Sequence, residues 1–576
     1  MLLTLGSAGL AAEPCPPQRA ESVERARPGA ETAPYAPDPC DPAALPAAAA
    51  GVSPAFEGMP DRWRLVSLLG LARDNTLDPY HGNNWLKGDR PAFGDDWFLS
   101  LTGISDTLVE PRRVPTPRAA PSTESPGDLD QIGDGEQLVL AQNFLFEGVL
   151  YQGNTVFMPP AYELRVIPVV NVNYARAEER GVLQAPANAD TTREDAALGL
   201  QALFLDKHLR DVSSRYDFDS LRVGIQPFTA DFRGFLFSDA PIGVRLFGIR
   251  ANNRFQYNLG WFRRLEKDTN SGLNRVDGFE VRDNDLLFAN LYVQDFPVPG
   301  FTAQAVVAHE RNREGDEVVY DDNGFIQRPA SLGVETGRDY DVTWLGVNGD
   351  GHFRRFNLSV AAYTAVGDET HGTFTTQGSE VRAAMFAAEA SKDYDWIRGR
   401  LSFLWASGDG DPFDDRATGY DAMTENPLFA GADTSYWIRQ SVPLIGGGRV
   451  ALSPRNGVLN SLRPSKEFGQ SNFTNPGTVL LGLGADFDLT PTLRVSVNAN
   501  ELWFEDSAAV EAARNQGSVD RHLGLDLSAA LTWRPLAIQN VVVRLSAAGL
   551  VPGSGFRALY GDHDAYSILG NVVLTY

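Results

Sequence analysis

Eight arginines fall on the polar side of alternating segments: Arg222, Arg254, Arg354, Arg398, Arg400, Arg494, Arg534 and Arg544. A guanidinium is a planar fork of donors that matches carboxylate and phosphate oxygens, so a series of them along one wall favours anionic or hydroxylated solutes. Paired instead with acids such as Asp486, Asp488 and Asp526, the same side chains would only complete the wall. A second group, Asp409, Asp411, Asp414 and Asp415, crowds four carboxylates into a short loop, Ser407-Gly-Asp-Gly-Asp-Pro-Phe-Asp-Asp415. Hard cations take several oxygens at flexible geometry, which makes calcium a candidate ligand. The full EF-hand spacing is missing, and a solvated acidic loop is the plainer account. Cys15 and Cys40 are a candidate disulfide in an exported chain, or two unpaired thiols. The sequence has no G-x-S-x-G elbow, P-loop, H-E-x-x-H, dinucleotide fingerprint or C-x-x-C-H. Its seven histidines include no pair at helical ligand spacing. The chain therefore reads as a non-enzyme with no cofactor apart from the calcium question.

These residues must be held by strands. Leu523, Leu525, Leu527, Ala529, Leu531 and Trp533 share one side of a segment, and Gly524, Asp526, Ser528, Ala530, Thr532 and Arg534 share the other. Leu493 to Asn500, Arg254 to Trp261, Ile397 to Trp405 and Asn540 to Ala547 repeat the pattern. The period is two, not 3.6. At the C-terminus Tyr566, Ile568, Gly570, Val572, Leu574 and Tyr576 form an apolar face with a tyrosine at each rim, against Ser567, Leu569, Asn571, Val573 and Thr575. Eighteen such segments are expected between residues 97 and 576. From 252 onward the links between them alternate: 252–253, 297–300, 350–352, 391–393, 489–491 and 535–538 are short, while 266–284, 312–338, 367–379, 408–476, 505–521 and 551–564 are long. Short turns on one rim and long loops on the other mark a transmembrane antiparallel up-and-down β-barrel, and a soluble sandwich has no reason to keep that asymmetry.

Composition agrees. The chain has 576 residues and a formal net charge of −24, with only five lysines among its 50 basic residues. It is too long for one soluble core and too acidic for general nucleic-acid binding. No uninterrupted apolar run approaches the ~20 residues of a membrane helix, and a mean hydropathy of −0.23 is what alternation between lipid and water faces produces. Residues 1–12 read as the remnant of an export signal whose start lies upstream, and 13–60 as a disordered Pro/Ala-rich linker. Residues 61–96 read as a periplasmic segment or plug, and 97–576 as the barrel. Eighteen tilted strands enclose an aqueous lumen unless loops fill it. The long 408–476 link is the first candidate for an inward-folded constriction. Arg463-Pro-Ser-Lys466 and 469–477, polar and turn-rich, read as its return.

A strand that ends the chain on an aromatic residue resembles the closing strand of bacterial outer-membrane barrels. The stretch Trp405-Ala-Ser-Gly-Asp-Gly-Asp411, leaving a strand, resembles the outer-loop start of the alginate-export family. Gly224-Ile-Gln-Pro-Phe-Thr-Ala-Asp-Phe-Arg-Gly-Phe-Leu-Phe237 resembles the strand exit and following loop of several large porin-like barrels. In that segment Phe228, Phe232, Phe235 and Phe237 are expected to form a girdle or to pack against the rim, with Asp231 and Arg233 at the pore mouth. The resemblance implies an outer-membrane, porin-like channel for small polar or anionic solutes, or for a polyanionic polymer. Its partners would be outer-membrane lipid, the solute and a periplasmic protein. A scaffold barrel sheathing an electron-transfer cytochrome is the first alternative, and an outer-membrane hydrolase the second.

Overall fold

The computed structural model describes residues 84–116, 135–153, 159–213, 217–432, 434, 458–537, 539–562 and 564–576. The export-signal remnant, the Pro/Ala-rich linker, Cys15, Cys40 and residues 61–83 lie outside them.

One sheet dominates. Its long antiparallel strands are β1 (Trp97–Arg113), β2 (Glu136–Gln152), β3 (Tyr162–Ala177), β4 (Thr192–Asp211), β5 (Phe218–Ile225), β6 (Ile242–Arg250), β7 (Phe255–Leu265), β8 (Val281–Val293) and β9 (Phe301–Arg313). The second half is β10 (Asp339–Phe353), β11 (Phe356–Glu369), β12 (Ser379–Tyr394), β13 (Ile397–Ala406), β14 (Thr478–Thr490), β15 (Leu493–Trp503), β16 (His522–Trp533), β17 (Val541–Pro552) and β18 (Ala565–Thr575). Each pairs with the next, and β18 pairs with β1, so these eighteen close into a barrel without free edges. A nineteenth member, Arg416–Ala417, adds a two-residue parallel pairing to β12. Links alternate around the whole barrel: 354–355, 395–396 and 491–492 are two-residue turns on one rim, and 314–338, 407–477 and 504–521 are loops on the other.

The outward face is apolar. Val347 is 67% exposed, Leu483 62%, Leu545 57% and Ile568 52%. A soluble sheet would turn these side chains inward, whereas a barrel in hydrocarbon turns them to lipid. No helix among the described residues is long and apolar enough to cross a membrane; the strands do so. The short-turn rim carries both ends of the barrel, which makes it the periplasmic rim. There the described part of the 61–96 segment lies in the wall: Leu101 donates its N–H to Leu86 O at 2.7 Å, and Lys87 Nζ lies 4.2 Å from the Tyr576 ring centroid.

Most strand limits differ from the sequence reading by one to four residues, and two of the differences have a clear local cause. β5 stops at Ile225 rather than Phe228. Gly224, at φ +130°, turns the chain where a Cβ would strike Leu203 O at 2.2 Å, and Pro227 has no N–H for a ladder. β8 is Val281–Val293 rather than 285–296, because Asp295, at φ 52°, accepts the Gly300 N–H at 2.7 Å and closes a turn. The long loops also hold two short helices, α1 (Ala508–Arg514) and α2 (Ser554–Tyr560), tied together by Arg514 Nη2 donating to Leu559 O at 2.9 Å.

Candidate functional site

Two loops turn into the lumen and decide what remains open. The first, 226–241, joins β5 to β6. Its organiser is Asp231, whose carboxylate accepts the backbone N–H groups of Arg233, Gly234, Phe235 and Leu236 at 2.6–3.1 Å and the Tyr363 hydroxyl at 2.9 Å. A carboxylate that gathers four successive N–H groups fixes a tight loop. Asn290 and Gln304 on the wall donate to Ala230 O at 2.8 and 2.7 Å. Phe228, Phe235 and Phe237 are buried, and Phe228 packs 5.0 Å from Phe262 and 5.1 Å from Phe288. They form the loop's own core inside the barrel, not an outer girdle. Phe232 packs edge-on to Tyr292.

The second loop, 407–477, enters as two described arms. The arm 418–426 runs beside the first loop: Ser238 donates to Thr424 O at 2.8 Å and Asn426 to Gly234 O at 2.8 Å. The arm 458–477 returns along the wall. A fully buried clasp joins them. Arg463 lies 3.1 Å from Glu425 and 3.4 Å from Asp421, and Lys466 donates to Glu425. All four side chains are at most 4% exposed. Burial pushes the Asp421 carboxyl up, against the pull of Arg463 and Lys466.

Two arginines of the wall, Arg264 and Arg282, and two of the 314–338 loop, Arg328 and Arg338, then hold the returning arm by its backbone. Arg264 donates to the carbonyls of Lys466 and Glu467, Arg282 to Glu467 O and Arg328 to Phe468 O, each at 2.9 Å, and Arg338 donates to Ser471 O. Carboxylates neutralise most of them: Arg282 meets Glu314 at 2.7 Å and Arg338 meets Glu369 at 3.2 Å, while Arg328 touches Glu266, Glu314 and Glu317. Burial alone would raise the Glu314 carboxyl, but Arg282 and Arg328 hold it at about 2. The half of the lumen facing β7–β11 is therefore filled and rigid. None of these four arginines is distinguished in the sequence, because alternation gives a residue's face and not what lies opposite it.

The other wall faces a less filled lumen. On β5 and β6, Arg222 and Arg245 are direct register partners. Arg222 pairs with Asp206 at 2.8 Å, and its guanidinium lies 4.1 Å from the Phe204 ring centroid. Arg245 bonds Asn258 at 2.8 Å and lies 4.7 Å from the Phe247 centroid, with no carboxylate within ion-pair distance among the described residues. Arg165 on β3 joins them, paired with Glu147 and Glu163. Neither Arg165 nor Arg245 was singled out by sequence; both sit at the right parity on segments whose strand character was legible.

The candidate residues distribute as follows. Arg222, Arg398, Arg400, Arg494 and Arg544 lie on the inward side of strands. Arg398 pairs with Asp393 and Arg494 with Asp488 at the periplasmic end, while Arg400 meets Asp486 at 3.3 Å and also bonds Asn498. Arg254 and Arg354 stand in periplasmic turns, and Arg534 begins another, where it bonds Gln539 at 3.0 Å. These three border the periplasmic mouth rather than line the strand wall, because the strands begin or end one to three residues short of what the alternation suggests. Asp231 is a buried loop organiser rather than a mouth residue. Arg233 does face the passage: it reaches Ser359 at 3.0 Å, Asp350 at 3.3 Å and Glu389 at 3.7 Å.

Among the described residues no three His, Cys, Asp or Glu side chains converge as a metal site. Asp409 is buried and accepts from Thr418 at 3.3 Å, whereas Asp411 and Asp414 accept the backbone N–H groups of Phe413 and Arg416 in their own turns. Burial, with Asp414 and Asp411 nearby, pushes Asp409 up to about 7. His208, His309, His371 and His522 hydrogen-bond Asp211, Thr343, Thr336 and Glu501, and none of the four bonds a serine as a hydrolase triad requires.

No protein-family model and no curated protein matches the chain. Among solved structures it is similar to OccK9 (OpdG) of Pseudomonas aeruginosa, at 14% identity over 83% of this chain and 97% of that one, with a TM-score of 0.45. It is also similar to OccAB3 of Acinetobacter baumannii, at 11% identity over 83% and 99%, TM-score 0.46. A third is a BenF-like porin from Pseudomonas fluorescens Pf-5, at 10% identity over 83% and 98%, TM-score 0.43. By its own architecture the chain is an outer-membrane-type β-barrel: eighteen antiparallel strands, an apolar outer face and a lumen narrowed by two inward loops.

Proposed function

We propose that this barrel is an outer-membrane channel for small anionic solutes, passing between the wall of β3–β6 and the two inward loops. The carrying observation is Arg245: its register partner Arg222 takes the nearby carboxylate, Asp206, and Arg245 bonds the neutral Asn258 with no ion pair among the described residues, so its charge is left for a solute anion. Phe204 and Phe247 beneath them add apolar surface and hold the guanidinium planes. Arg233, between Asp350 and Glu389, adds a second polar station on the first inward loop.

The filled lumen counts against a sheath around a cytochrome, because the chain's own loops already occupy the space a partner would need. It also favours a small solute over a polyanionic polymer, which needs a wide path. The alginate-export resemblance rests on the short stretch at 405–411 alone. The test is conductance of the purified full chain in planar bilayers, with ion selectivity read in a salt gradient. Absence of conductance at every voltage would overturn the channel.

A further inference from the structure

The outward face carries one polar cluster where only lipid is expected. Thr107 on β1 and Gln142 on β2 are register partners, and the Thr107 hydroxyl donates to Gln142 Oε1 at 2.5 Å. Gln142 Nε2 donates to Ser105 Oγ and to Asn143 O, each at 3.1 Å. Register places all three on the lipid side. Ser105 stands opposite Phe144 and Leu574, Thr107 opposite Val572, and Gln142 opposite Val172, and these four neighbours are exposed apolar side chains. Along β2 the same face reads Leu138, Leu140, Gln142, Phe144, Phe146. Along β1 it reads Leu101, Gly103, Ser105, Thr107, Val109. The cluster is thus bracketed by apolar residues on both sides, within the hydrocarbon band. Other outward side-chain bonds, Trp261 to Asp285, His309 to Thr343 and Asp219 to Arg250, lie at the band's edges, where charged residues follow.

The cluster keeps unused hydrogen-bonding capacity. The Ser105 hydroxyl proton has no acceptor among the described residues, and Gln142 Oε1 and Thr107 Oγ1 each retain a lone pair. The surface is also open: a Cβ on Gly103, beside Ser105, would meet nothing within 4 Å. Acyl chains offer no donor or acceptor at this depth, and small and polar residues on a membrane face are what lets two protein surfaces approach and bond. We propose that the β1–β2 face is the contact between two copies of this chain. The Ser105 hydroxyl of each copy donates to the Gln142 or Thr107 oxygen of the other. The cluster is self-complementary in donors and acceptors, as a two-fold contact requires.

The experiment measures the mass of the full chain in mild detergent and in lipid nanodiscs across a concentration series. The wild type is expected to contain more than one copy. A variant carrying Ser105→Ala, Thr107→Val and Gln142→Leu presents lipid with a wholly apolar face, so the barrel still folds, and its dissociation constant should rise by about tenfold or more. Leu483→Ala, on the outward face of β14, should leave assembly unchanged. A second, position-specific reading uses Cys15→Ser and Cys40→Ser as background: oxidised Ser105→Cys should link two chains and Leu483→Cys should not. A wild type that stays at one copy in both environments, or a triple variant that assembles as the wild type does, would overturn the proposal. So would cross-linking through residue 483 instead of 105.

Discussion

On the filled side Arg264 of β7, Arg282 of β8, and Arg328 and Arg338 of the 314–338 loop are buried and direct their N–H groups at backbone carbonyls of the run 466–471. Along β3–β6, Arg165, Arg222 and Arg245 stay partly exposed, beside rings and carboxylates, with no loop backbone to hold. One residue type on one face of one barrel therefore serves two purposes. On the filled side the guanidinium offsets orphaned carbonyls in a low-dielectric interior. On the open side it stays partly exposed to the lumen. What separates the two is the course of the 407–477 loop, not the strand.

The largest effect should come from the filled side. Arg282→Met removes the partner of buried Glu314 and two of the donors that hold the loop; breaking such a pair costs about 3–5 kcal/mol. Urea unfolding of the barrel, followed by gel mobility, should show that loss, whereas Arg245→Met on the open side should cost under about 1 kcal/mol. Equal costs would erase the contrast. Next, Glu425→Gln leaves Arg463 and Lys466 buried against Asp421 alone. A loss of about 2–3 kcal/mol is expected, seen as protease cleavage within 418–426 that the parent chain resists.

A smaller effect sharpens the open side. Arg222→Met with Arg245→Met should lower the anion-to-cation permeability ratio about fivefold, because one charge at close range in water is worth about 1 kcal/mol. Arg282→Met should not change that ratio by this route. The smallest effects are two pH responses of opposite sign. Glu314 is held below its ordinary value of 4.5, so its stabilisation is complete above that pH and lost as pH falls toward about 2. Asp409 is raised from 3.8 to about 7, so its stabilisation is complete below 3.8 and lost as pH rises through 7. Hydrogen-exchange protection at 407–418, taken relative to the intrinsic rate at each pH, should therefore fall between pH 4 and about 7 in the wild type, and Asp409→Asn should flatten that fall.

Much of the wall was legible. Period-two alternation and the long-short order of links located all eighteen strands, and the C-terminal face, Tyr566 to Tyr576, points to lipid as the pattern requires. The lumen was less so. The 408–476 link stood out by length, but the inward course of its described arms rests on contacts with the first loop and the wall that length alone does not give. Its partners did not stand out: Asp421 and Glu425 lie some 40 residues from Arg463 and Lys466, and nothing local marks them as a clasp. Asp231 was noticed for its neighbours, yet its role depends on four backbone N–H groups that only the folded turn brings together. Arg254, Arg354 and Arg534 were placed too deep, because the alternation of residue types runs on past the last paired residue of a strand into the turn.

The central claim is that the open wall makes the passage favour anions although the whole chain carries a net charge of −24. Reversal potential of the wild-type channel in a salt gradient tests it most directly. A potential on the anion-selective side, reduced by the Arg222→Met and Arg245→Met pair, is the predicted result. A cation-selective potential in the wild type would contradict the account.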